Sequence, residues 1–192
     1  MEHWAGFVLT GGRSSRMGTD KARLAAGGIA LAERAARMLE RVCESVALVG
    51  NPAKHDRFGR LVLEDELPGC GPLGGIVTAL SQSTAGWNLI LACDMPSVTV
   101  EFLETLRRRA EGSHSECVVP CGPSGGMEPL CAAYRKNCDA KLRAALREGT
   151  RKTRDAVQSL RCDLWKLENG ALFRNVNTPD DWERFLREQQ PQ

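Results

Sequence analysis

Apolar residues along this chain alternate between two rhythms. Residues 4–9, 46–49, 61–63, 89–93, 117–120 and 130–134 form short apolar runs and read as strands. The run at 89–93 is nearly continuous, as expected for a strand buried on both faces. Between these runs the period changes. Leu31, Ala35, Met38, Leu39 and Val42 make one stripe of a helix over residues 30–42. Pro72 can open a helix that runs through Ile76, Val77 and Leu80. Thr99 is placed to cap a helix over 99–110, and Gly149 to end one over 139–147. A short helix is predicted over 153–160, and Thr178-Pro179 opens the last one. Residues 111–115 and 121–127, rich in Gly, Ser and Pro, read as loops.

Strand–helix alternation of this kind predicts an α/β protein with a mostly parallel sheet covered by helices on both faces. Ligands of such sheets bind beyond the carboxyl ends of the strands. That rule gathers residues 11–21, Asn51, Asp65, Asp94 and 175–177 along one edge. A single domain over 1–188 is expected, with 189–192 as a frayed tail.

Composition narrows the partners. With 42% hydrophobic and 26% charged residues, the 192-residue chain has the make-up of a soluble globular protein. A net charge of +2 argues for neither nucleic acid nor a membrane surface. No apolar run approaches the ~20 residues of a membrane span, and no signal peptide is visible, so a cytoplasmic protein is expected. The eight cysteines include no C-x-x-C pair, and reduced thiols are expected. Cys43, Cys93, Cys117 and Cys131 lie in apolar runs and read as core residues.

The densest chemistry follows the first strand, in Leu9-Thr10-Gly11-Gly12-Arg13-Ser14-Ser15-Arg16-Met17-Gly18-Thr19-Asp20-Lys21. Glycines after a strand let backbone N–H groups approach phosphate oxygens, and Arg16 and Lys21 add positive charge. The string reads as a polyphosphate cradle; the plainer reading is a tight turn with solvated cations. It is neither G-x-x-x-x-G-K-[ST] nor G-x-G-x-x-G, so it points to neither a P-loop nor a dinucleotide redox cofactor. Asp94 ends the buried run at 89–93. There a carboxylate can bridge Mg²⁺ to phosphate oxygens, or cap the next loop. Asp65 precedes the glycine-rich stretch 69–75, which can admit a flat base or simply make a turn. His3, His55 and His114 lie apart from these motifs and receive no role. No protein nucleophile can be argued, which fits direct attack by an acceptor's own phosphate.

The loop string resembles the signature of nucleotidyltransferases, above all the molybdenum cofactor guanylyltransferases, L-A-G-G-x-S-x-R-M-G-x-D-K. Thr10 stands where that family has alanine. Cys93-Asp94-Met95-Pro96 resembles its C-D-x-P, and Glu64-Asp65 followed by Gly71-Pro72-Leu73-Gly74-Gly75 resembles its E-D and G-P-L-x-G. Asn175-Val176-Asn177-Thr178-Pro179 matches N-x-N-T-P. The likeness spans residues 9–180 and implies a three-layer Rossmann-like nucleotidyltransferase fold. It also implies transfer of GMP from GTP to the terminal phosphate of molybdopterin or molybdenum cofactor, releasing pyrophosphate. Arg16, Lys21 and Asp94 are the implied catalytic residues, with Mg²⁺ on Asp94. Leu9, Thr10, Gly11, Gly12, Lys21, Asn51, Asp65, Gly71, Gly75 and Asp94 are implied to bind nucleotide. Arg151, Asn175 and Asn177 are implied to bind the acceptor, although Arg151-Lys152 also reads as a solvated pair. Glu128-Pro129-Leu130 falls near the family's H/E-P-L and receives no role. The related cytidylyltransferases carry L-A-A-G, which makes Gly11 a candidate for base choice. A monomer is expected, with transient contact to molybdoenzymes or other cofactor-biosynthesis proteins. Two alternatives stay open: a CTP-using or sugar-phosphate nucleotidyltransferase, and a non-catalytic carrier of nucleotide or cofactor.

Overall fold

Trp4–Leu9 is a run of six buried residues and forms β1, as its apolar pattern requires. The computed structural model describes residues 2–11 and 20–189. After β1 come β2 (Ala25–Ala26) and β3 (Ile29–Ala30), then α1 (Leu31–Leu39) and β4 (Ser45–Gly50). Next are α2 (Pro52–His55), β5 (Val62–Glu64), α3 (Gly71–Gln82) and β6 (Trp87–Ala92). The second half adds α4 (Val100–Glu111), β7 (Cys117–Cys121), β8 (Cys131–Arg135) and α5 (Cys138–Arg147). It closes with α6 (Thr153–Val157), β9 (Cys162–Lys166) and α7 (Pro179–Glu188).

The main sheet has seven strands in the order β5-β4-β1-β6-β8-β7-β9. β1 pairs in parallel with β4 and β6, β4 with β5, and β7 with β9. β8 runs antiparallel to both its neighbours, β6 and β7. The predicted mostly parallel sheet is therefore observed.

Side chains alternate across it. Trp4, Val8, Leu89 and Leu91 pack toward α1 and α4, while Phe7, Leu9, Val49 and Ile90 pack toward α3, α5 and α6. The result is three layers with apolar burial on both sheet faces. Six cysteines, Cys43, Cys93, Cys117, Cys121, Cys131 and Cys138, are buried in these layers.

Trp4 and Trp87 face each other across the β1–β6 register and stack with centroids 5.5 Å apart and planes 7° from parallel. Both are fully buried. Trp87→Ala is expected to destabilise the protein by about 3–5 kcal/mol, the usual loss for a large aromatic deleted from a core. Urea unfolding of the two proteins checks this; a loss under about 1 kcal/mol would mean the core collapses around the gap.

Three elements escaped the sequence reading. The β2–β3 hairpin turns on Gly27 and Gly28, with φ of 57° and 78°. A two-residue turn with both φ positive favours glycine at both positions. α2 spans only one turn. β9 is a half-buried edge strand with Leu164 exposed, so its hydrophobic signal is weak. Thr99 and Thr178 cap α4 and α7 as predicted, and Asp181 completes a capping box with Thr178.

Candidate active site

Parallel pairing brings the carboxyl ends of β1, β4, β5 and β6 to one edge, and the candidate residues meet there. Thr10 N donates to Val49 O at 3.0 Å, extending the β1–β4 pairing one residue past the strand. Gly11 follows, exposed; a Cβ built on it would meet no atom of the described residues within 4 Å. Gly12 and Arg16 lie outside the described residues. The chain is described again at Asp20, whose side chain accepts from Ala22 N at 3.1 Å and caps a short 3₁₀ turn, Lys21–Arg23.

Lys21 Nζ donates to Asn177 Oδ1 at 2.6 Å and lies 3.4 Å from Asp94 Oδ2. Asn177 is itself fixed. Its N–H donates to Asp181 Oδ2 at 3.0 Å, and the adjacent Val176 N–H donates to Asp94 O at 2.8 Å. The capping box of α7 thus delivers Asn177 to the end of β6.

Three abutting clefts run along this edge. The first, of about 380 Å³, is lined by Leu9, Gly11, Asp65, Gly71 and Gly75 among others. The central one, of about 290 Å³, shares Leu9 and Gly11 with it and adds Thr10, Lys21, Asp94 and Asn177. The third, of about 570 Å³, shares Pro72 and Leu130 with the central cleft and is lined by Arg151, Lys152, Arg154 and Asn175. So eight of the candidate nucleotide residues, Leu9, Thr10, Gly11, Lys21, Asp65, Gly71, Gly75 and Asp94, line the first two clefts, and Arg151 and Asn175 the third. Asn177 instead lines the central cleft. Asn51 follows β4, is exposed, and lines none of the three.

Several residues combine structural and surface roles. Asp65 Oδ1 accepts from Leu67 N at 3.0 Å and Thr78 Oγ1 at 3.2 Å, so it shapes the turn while lining the first cleft. A Cβ on Gly75 would come within 3.3 Å of Leu9 Cδ2, so this glycine lets α3 sit close on β1. Arg151 Nη1 donates to Leu146 O at 2.8 Å, closing the end of α5. Among the described residues the first turn of α3, at Gly71 and Pro72, has no side-chain cap, and it borders the first and central clefts. Uncapped N–H groups at a helix start attract anions.

Burial pushes the Asp94 carboxyl above the usual aspartate range, and the Lys21 charge opposes this without cancelling it. A carboxylate left short of positive charge suits a further cation. Among the described residues no group of three or more His, Cys, Asp or Glu side chains is placed to hold a metal. A single half-buried carboxylate on an open cleft is a donor that a hard cation such as Mg²⁺ could share with substrate oxygens and water.

Sequence reasoning paired Lys152 with Arg151 and missed the lining roles of Arg154 and Glu128. The spacing Arg151-Lys152-x-Arg154 was visible, but only the placement of α6 turns it toward a cleft. It also missed His55, buried beneath Thr10.

A doubly covered, mostly parallel sheet with a cleft holding Lys21 and Asp94 between two larger ones has the layout of a nucleotidyltransferase. Residues 6–163 match the MobA-like NTP transferase domain, and the chain belongs to that family. It is 35% identical to the probable molybdenum cofactor guanylyltransferase of Chloroflexus aggregans, over 92% of this chain and 90% of the relative. The corresponding relative from Methanothermobacter thermautotrophicus is 33% identical over 91% and 94%. Among solved structures, molybdopterin-guanine dinucleotide biosynthesis protein A from Archaeoglobus fulgidus superposes with a TM-score of 0.83 at 26% identity, covering 96% of this chain and 97% of that one. The 2-C-methyl-D-erythritol 4-phosphate cytidylyltransferase from Thermus thermophilus shares the fold, with a TM-score of 0.72 at 17% identity and 98% coverage of each chain.

Proposed function

We propose that this protein transfers GMP from GTP to the terminal phosphate of molybdopterin or molybdenum cofactor, giving the guanine dinucleotide form and pyrophosphate. The observation that carries this reading is the row of three clefts with Lys21 and Asp94 in the middle one. Such a row can seat base, phosphates and acceptor in line. The guanylyltransferase names of the relatives supply the base and the acceptor.

An acceptor phosphate oxygen forms a bond to the α-phosphorus of GTP. The bond from that phosphorus to the oxygen bridging it to the β-phosphate breaks, and pyrophosphate leaves with that oxygen. The work left to the protein is positioning and charge stabilisation. Lys21, held at the central cleft by Asn177 and Asp94, meets the triphosphate there and offsets charge on the leaving pyrophosphate. Amides at the start of α3 add donors along the same edge. Arg151, Lys152 and Arg154 draw the acceptor's phosphate into the third cleft. Asp94 would hold Mg²⁺, which would supply neutralisation of phosphate charge. Arg16 and Gly12 complete the phosphate loop in this reading, and Asn51 approaches the nucleotide from β4. On the same reading the protein acts as a cytoplasmic monomer.

Pyrophosphate release by the purified protein with GTP, molybdopterin and Mg²⁺ tests the proposal. Faster release with CTP would reassign the base. Tight nucleotide binding without release would make the protein a carrier.

Gly11 gives a sharper test of base choice. It lines both nucleotide-side clefts, with no atom of the described residues near where a Cβ would be. Gly11→Ala therefore leaves folding alone and puts a methyl group into the ligand's path. Crowding by one methyl costs about 1–3 kcal/mol, and a purine fills more of the cleft than a pyrimidine. The GTP/CTP ratio of kcat/KM is expected to fall by roughly 10- to 100-fold in competition assays. An unchanged ratio would place guanine selection elsewhere.

A further inference from the structure

His55 is 2% exposed and is the last residue of α2, directly before a 3₁₀ turn over Asp56–Phe58, and none of the chemistry above uses it. Its ring stacks on Phe58 with centroids 6.0 Å apart. Its Nδ1 lies 3.2 Å from Thr10 Oγ1, and its Nε2 lies 3.3 Å from Asp20 Oδ2. The Nε2 contact is off-axis for a well-formed hydrogen bond, and Nε2 has no other partner among the described residues. Thr10 and Asp20 flank the phosphate loop on its two sides. Thr10 is anchored to β4 through its N–H and its hydroxyl, both directed at Val49 O. Asp20 caps the turn that carries Lys21.

We propose that His55 is a positioning residue of the Lys21 turn, packed between Thr10, just past β1, and Asp20, the cap of that turn. Two further features fit this role. A Cβ on Gly50 would overlap the Thr10 hydroxyl oxygen and come within 3.3 Å of His55 Nδ1. The end of β4 therefore has room for this pair because residue 50 is glycine. Thr10 also brings a hydroxyl where the resembled loop has alanine, which could not meet the ring. The chain thus combines a hydroxyl, a glycine beside it and a buried imidazole at one point. A ring bridging both ends restricts how far the Lys21 turn can drift from the carboxyl end of β1. Drift of even about 1 Å at a reacting group is expensive in rate.

The inference rests on the proposed reaction for its kinetic arm, so a second arm is independent of activity. Hydrogen exchange is followed on the nucleotide-free full chain. His55→Ala is expected to speed exchange at the Thr10 and Ala22 amides by about tenfold. Phe7 and Ile90, at the sheet centre, should change by less than about threefold, because local opening is distinct from global unfolding. His55→Gln keeps most of the volume but offers one amide, too few contacts for both ends, and should show the same local pattern. In turnover assays both variants are expected to lower kcat by about tenfold while KM for the acceptor stays within about twofold, the split of a lost positioning contact. Equal acceleration at all four amides would make His55 an ordinary core residue and overturn the proposal. Unchanged exchange at Thr10 and Ala22 would overturn it too, as would loss of protection with wild-type kcat. If the wild type turns over no GTP, the proposed function fails, and exchange alone still decides His55.

Discussion

Lys21→Ala is expected to lower kcat/KM for GTP by about 10²-fold or more, the loss seen when one preorganised charge or donor is removed from a transition state. The side chain is held between Asn177 and Asp94. It is therefore placed over the central cleft before any ligand arrives, so little reorganisation precedes its use. Folding should survive, because the ammonium group reaches the cleft surface and only one exposed hydrogen bond to Asn177 and the ion pair with Asp94 are lost. Lys21→Arg is not expected to restore the rate. A planar fork of five donors demands a different space from a compact ammonium. Initial rates of pyrophosphate release at subsaturating GTP measure the effect. A change under about threefold would assign Lys21 to solvent and to Asp94 alone.

Asp94→Asn carries the second large effect. The carboxylate sits at the end of β6, half-buried, with its charge only partly offset by Lys21. In the proposed mechanism it holds Mg²⁺, and an amide is a far poorer partner for a hard cation. Loss of kcat on the order of 10³-fold is expected, at the upper end for one electrostatic group. Stability should move the other way. A charge kept against its desolvation penalty weakens the fold, and asparagine removes that charge while keeping the shape. In metal-free buffer the melting temperature of Asp94→Asn should therefore equal or exceed the wild-type value. Wild-type turnover in the variant would remove Asp94 from the reaction. A clear fall in melting temperature would mean that the Lys21 pair holds the site together.

The architecture was legible because burial on both faces writes a simple pattern. β1 was read at its observed bounds from one apolar run, and α4 and α7 were placed by their threonine caps. The weak spots were elements whose residues are half-exposed or very short. β9 at the sheet edge and the one-turn α2 carry too little periodic signal to separate from loops. The antiparallel direction of β8 was equally invisible, since direction depends on how the chain returns across the sheet.

For the candidate site, the sequence by itself determined the chemistry that was available. Glycines, Lys21, Asp94 and the two asparagines stand in the order of a phosphate loop, a strand-end carboxylate and a capped final helix. Residue type and local spacing suffice for that, because caps, turns and strand ends are local events. Only the tertiary structure decided who meets whom. Asn177 lies 156 positions from Lys21 yet binds its ammonium, because Asp181 and the β6 end hold the last loop in place. His55 gained a role only when β4 was laid beside β1, with Gly50 leaving room for its ring against Thr10. Contacts of this range come from sheet order and helix packing, and no local pattern encodes them.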